Sequence, residues 1–191
     1  MAIFKTTFTD KGKVDRLLYL AASNFFLAVG KETPWTSDDG SDVTEENPPT
    51  PDSSLGDLTQ VVLYKKPFYQ TLAVESQCGI DFDSCGESLG TKKLTLINLE
   101  TTSLETLYAI APSYLYVRVY IDQSDLDFAS ITSYRSVGLY KDITFNTPGA
   151  IRYLPPSVEN QGVLYWYSYF TPIYRDTLVD KASVFEIIIK A

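Results

Sequence analysis

Two periods of apolar and polar positions run along this chain. Between residues 9 and 23, Val14, Leu17, Leu18, Ala21 and Ala22 recur at the i, i+3, i+4, i+7, i+8 spacing that puts them on one face of an α-helix. Thr9 or Asp10 stands where the N-cap falls. This is the one substantial helix the pattern predicts. Elsewhere the period is two, or the runs are β-branched and aromatic: "FFLAVG", "TQVVLYKK", "KKLTLINL", "YLYVRVYI", "YRSVGLYKDITF", "GVLYWYSYF" and "VFEIIIKA". "YLYVRVYI" puts Leu115, Val117, Val119 and Ile121 on one face. Tyr114, Tyr116, Arg118 and Tyr120 form the other, either a second packed layer or a surface meant to be covered. With turns such as "NTPGA" and "LPPS" between strands, the expectation is a mainly β, antiparallel sandwich or barrel-like domain with one short N-terminal amphipathic helix.

The first strand stops at Gly30, and "KETPWTSDDGSDVTEENPPTPDSSLGDL" follows as a long acidic, proline-rich loop over residues 31–58. Connections of this length in compact domains are functional or disordered. "NPPTPDSS" favours extended polyproline-like backbone, which loses little entropy on docking. The bland alternative is a solvated loop. Residues 1–191 are expected to form a single structural domain, with 31–58 inserted after the first strand as an arm.

Charge sharpens this picture. The net charge is -8, and the eight acids Glu32, Asp38, Asp39, Asp42, Glu45, Glu46, Asp52 and Asp57 lie between Lys31 and Lys65 with no base among them. They account for the whole excess, so the rest of the chain is balanced. An acidic chain without a basic cluster is a poor ligand for phosphate backbones, so no nucleic-acid partner is expected. No apolar run reaches the roughly 20 residues that span a bilayer, and "MAIFKTTFTDKGK" lacks a signal-peptide pattern, so no membrane association is expected and assembly in the host cytoplasm is.

Candidate chemistry is sparse. With no histidine, Ser-His-Asp and Cys-His arrangements are excluded, and no glycine-rich phosphate loop occurs. Paired carboxylates for glycoside hydrolysis need a separation that sequence does not show. Asp122, Asp125 and Asp127 in "IDQSDLD", and the acids of "SDDGSD", could offer oxygens to calcium but match no calcium-loop pattern, and read as solvated turn or cap acids. Cys78 and Cys85 in "SQCGIDFDSCGES" are read as free thiols or a loop-closing disulfide, with too few partners for structural zinc. No enzymatic activity, metal or cofactor is expected.

The stronger signal is aromatic. "GVLYWYSYFTPIYRD" gathers Tyr165, Trp166, Tyr167, Tyr169, Phe170 and Tyr174 beside Arg175, the residue types that protein interfaces use as anchors. Strict alternation places Leu164, Trp166 and Ser168 on one face and Tyr165, Tyr167 and Tyr169 on the other, so both faces are meant for burial.

Three stretches in order, "NFFLAVGKETPW…NPPTPDSS", "SYRSVGLYKDITF" and "GVLYWYSYFTPIYRDTLVDKASVFEIIIKA", resemble the baseplate wedge proteins of contractile-tailed (T4-like) bacteriophages. The similarity runs from Asn24 to the C-terminus. It implies a virion structural protein of the tail baseplate, often dimeric in the family, that joins neighbouring tail proteins. Pro34, Trp35, Pro48, Pro49 and Pro51 of the arm, with Tyr165, Trp166, Tyr167, Tyr169, Tyr174 and Arg175, are the candidate contacts. The alternative is a receptor- or carbohydrate-binding tail module in which the aromatics stack on sugar rings.

Overall fold

A computed structural model describes residues 9–30, 35, 48–81, 93–174 and 182–190, apart from the side chains of 76–81 and 93. In chain order the elements are α1 (Asp10–Ala21), β1 (Phe25–Gly30), β2 (Val61–Lys65), β3 (Tyr69–Asp81), β4 (Lys93–Leu96), α2 (Leu104–Ile110), β5 (Tyr114–Ile121) and α3 (Gln123–Ala129). Then come β6 (Ser133–Lys141), β7 (Thr144–Phe145), β8 (Arg152–Tyr153), β9 (Val158–Asn160), β10 (Val163–Tyr174) and β11 (Ser183–Lys190). The fold is mainly antiparallel β and sandwich-like, as the alternation predicts. Its residues divide into two compact units, one of Met1–Ser23, Tyr69–Arg118 and Phe185–Ala191, the other of Asn24–Phe68 and Val119–Val184.

In the first unit, Thr9 caps α1 by accepting from the Gly12 N–H at 3.1 Å. The buried face is Val14, Leu17 and Leu20, one residue away from the Leu18 and Ala21 edge of the predicted stripe. The helix ends on the Gln70 side-chain amide, which donates to the carbonyls of Ala21 at 2.5 Å and Ser23 at 3.3 Å and so partners carbonyls a helix end would leave open. β3 pairs with both β4 and β5, Leu72 facing Leu115, over a core of Ala73, Leu94, Tyr114 and Tyr116. Tyr116 is buried and its hydroxyl donates to Glu186 at 2.7 Å, so this part of the tyrosine face of β5 is packed. The backbone of β3 runs through Cys78; the Cys78 side chain and Cys85 lie outside the described residues.

The second unit is built on a five-stranded sheet ordered β10-β6-β1-β2-β8. The central strand β1 has all six residues buried, which explains why "FFLAVG" shows no alternation. Phe26 and Ala28 enter a cluster with Leu58, Tyr64, Tyr140, Ile143, Phe145 and Tyr153. Within it Phe145 stacks on Tyr153 at 3.7 Å and Phe26 meets Phe145 edge-on at 4.9 Å. Gly30, the last residue of β1, has little room for a side chain, since a Cβ there would lie 2.9 Å from Ser136 Oγ and 3.1 Å from the Thr59 carbonyl.

Two further helices, α2 and α3, are seven residues each, too short to show a periodic stripe. Caps define them instead: Ser103 accepts from Thr106 N–H, and Asp122 and Asp125 form a reciprocal capping box. The cap reading of "IDQSDLD" therefore holds for both acids, but Asp125 is not solvated. It is fully buried, with Lys65 Nζ at 2.5 Å and Arg152 Nη1 at 3.4 Å.

Candidate functional site

β10 lies at one edge of the five-stranded sheet, hydrogen-bonded to β6. Its parity is not the strict alternation of the sequence. Leu164 faces Tyr140 and Trp166 faces Leu139, so Tyr165 is an extra, bulged residue. The bulge puts Leu164 on the same cluster as Tyr167 and Tyr169, while Tyr165 packs edge-on against Phe25 at 5.9 Å. A second irregularity falls between Tyr169 and Ile173, around Pro172, which has no N–H to give the ladder. Every residue from Leu164 to Phe170 is half-buried, so neither face is open and neither is fully enclosed.

Onto this strand come the described parts of the arm. Trp35 is buried, its ring edge-on to Tyr169 at 5.0 Å and its indole N–H donating to the Phe170 carbonyl at 3.2 Å. The Tyr167 hydroxyl donates to the Asp52 carbonyl at 2.5 Å and accepts from the Asp52 N–H. Asp52 in turn closes a turn on Ser54, whose backbone N–H and hydroxyl hold its carboxyl below the usual range. Burial, then the neighbouring Tyr167, raises the Tyr169 phenol.

The arm ends on a plug. Leu58 is buried in the aromatic cluster and donates its N–H to the Tyr140 hydroxyl at 3.0 Å, while that hydroxyl donates to Asp57. The other Asp57 oxygen accepts from the Gln161 amide at 2.7 Å. Burial and then Asp57 raise the Tyr140 phenol beyond the usual range, and burial and the Asp57 charge push Tyr64 up to about 12.

Of the residues singled out from sequence, Trp35, Tyr167 and Tyr169 are brought together. Pro48 is half-buried, Pro49 and Pro51 are exposed, and Tyr174 at the far end of β10 is exposed. Trp166 is half-buried on β10. Pro34, Arg175 and the acidic stretch 36–47 lie outside the described residues. Asp52 and Asp57 stand out in sequence only as acids, and the anchors Leu58 and Gln161 not at all. Only the alternation of acids with Leu55 and Leu58 hinted that this part of the loop returns to the core.

The described residues form an aromatic edge strand with an arm pinned across it. No helix among the described residues is long and apolar enough to cross a membrane. Comparison with known proteins agrees with a tail role. The chain is 30% identical over 145 residues to Virion protein 3 of Enterococcus phage phiEF24C, covering 75% of this chain and 72% of that one. A family model described as "Baseplate wedge 3 tail fiber network component" matches residues 5–191. The chain therefore belongs to the baseplate wedge 3 tail fiber network component family, a structural component of the phage virion tail.

Proposed function

We propose that the chain is a non-enzymatic connector whose residues 1–191 act as one structural domain, joining neighbouring baseplate and tail subunits through β10 and the arm of residues 31–58. The observation that carries this reading is β10 itself. It is twelve residues long without a single charge, it sits at a sheet edge, and no described strand pairs with its outer side. An edge of that length and neutrality templates strand addition by other chains unless a partner covers it. Exposed Tyr174, Pro49 and Pro51 extend the same region outward, while Trp35 and Asp52 anchor the arm so that less entropy is lost when a neighbour docks. The partners in this reading are proteins, a second copy among them, with no nucleic acid, membrane, metal or cofactor. Because Tyr167 and Tyr169 are engaged by the arm, the reading does not need them as a bare platform for sugar rings.

The test replaces residues 36–47 by a short Gly-Ser linker and leaves the anchors Trp35 and 48–58 in place. The expected protein unfolds at the same denaturant midpoint as the parent but fails to complement tail assembly. Normal yields of complete tails from this variant would refute a joining role for the arm.

A further inference from the structure

The opposite edge of the same sheet carries a feature that the arm and β10 do not use. A cavity of about 530 Å³ is lined by Lys65, Lys66, Pro67, Phe68, Tyr120, Asp122, Ile151 and Ala182, all in the second unit. That volume is in the range of sites that take a ligand. Phe68 leaves 76% of its surface in water and Ile151 61%, although both are large and apolar. The Phe68 ring is steadied edge-on by Tyr120 at 5.3 Å.

The polar groups of the lining are not equivalent. Lys65 is committed to buried Asp125. Asp122 caps α3, its Oδ1 accepting from the Ser124 hydroxyl at 2.6 Å and the Asp125 N–H at 3.1 Å. Lys66 is different: its backbone N–H is held by the Ile151 carbonyl at 2.8 Å, which fixes the stem, and its ammonium is exposed with no ion pair among the described residues. Among the described residues the cavity thus offers apolar walls and one available cation.

We propose that this cavity is a docking site for an extended segment of another tail protein, one that seats a large apolar or aromatic side chain against Phe68 and Ile151 and sets a neighbouring Asp or Glu on Lys66. The inference rests on the structural tail role and adds a second contact to it. Charge selects the acid, because Lys66 is the group left to be matched. Size selects a polypeptide over a small molecule. A compact ligand would fill the concavity but leave the projecting parts of Phe68 and Ile151 in water, whereas a chain lying across the rim covers them. A sugar is disfavoured because, among the described residues, the other charged groups of the lining, Lys65 and Asp122, are already engaged by the protein.

The experiment places p-benzoylphenylalanine at position 68, assembles tails by complementation, irradiates them and identifies the joined peptides by mass spectrometry. The expected product is a peptide of a different tail protein with an acidic residue within about three positions of the captured apolar one. Lys66→Glu should lower the cross-link yield about tenfold, and Lys66→Ala less, the grading a charge contact requires. Tails that contain the chain but give only intrachain cross-links, or equal yields with Lys66→Glu, overturn the docking site and leave the tail role standing. Joining to a glycan overturns the peptide partner. Tails that lack the chain overturn both.

Discussion

Asp125 shows how one residue can read as surface and turn out to be the most buried charge described. In sequence it is one acid of three in a polar stretch, and its capping role was legible because caps are local. Its burial was not, because Lys65 and Arg152, which make that burial tolerable, lie 60 and 27 positions away. A buried carboxylate that loses its partner keeps its desolvation cost and forfeits the attraction. Lys65→Met should therefore destabilise the protein by about 3 kcal/mol, the lower end for a broken buried pair since Arg152 remains near. Urea unfolding checks this, and a loss below about 1 kcal/mol, the scale of a surface pair, would mean that Asp125 is solvated after all.

At the scale of elements, the chain was most readable where one neighbour sets the pattern. β1 was visible as a strand because a strand inside a sheet can be apolar throughout, and α1 because twelve residues hold a full stripe. The parity of β10 was not readable. One bulged residue, Tyr165, reverses which side every later side chain occupies, and nothing local to "LYWY" announces it. The same holds for Trp35, expected to face a partner and found against Tyr169 and the Phe170 carbonyl, 135 positions ahead. Its two contacts are separable. Trp35→Ala removes a buried ring and should cost about 3 kcal/mol, whereas Trp35→Phe keeps most of the apolar contact and loses the hydrogen bond, about 1 kcal/mol. Denaturant midpoints for the pair rank these effects. Equal losses would show that the indole N–H carries the anchor and the ring little.

At the scale of the whole molecule, alkali should act on the unit built on the five-stranded sheet through three buried phenols. Tyr64, Tyr134 and Tyr140 are each at most 2% exposed, and all three belong to the unit built on the five-stranded sheet. Burial pushes Tyr64 and Tyr134 up to about 12, and it pushes Tyr140 higher still with help from Asp57. A phenol whose pKa is raised by folding stabilises the folded state fully below its unfolded value near 10, and that stability is lost as pH climbs through the folded value. Between about pH 10 and 12 the unfolded state releases three protons that the folded state keeps, so stability should fall by up to about 4 kcal/mol per pH unit. In the first unit Tyr108 is also raised, by its hydrogen bond to Asp15, but it lies at the surface and contributes little to this balance. Alkaline opening of the second unit should therefore set in across this range. Hydrogen exchange, read peptide by peptide, should show protection lost in β1, β2 and β6 between about pH 10 and 12, with β3 and β5 followed alongside as reporters of the first unit; unchanged protection in β1, β2 and β6 would overturn this. Simultaneous loss would mean that the two units open as one cooperative body, and that a neighbour gripping either the arm or the cavity steadies the entire chain rather than one half of it.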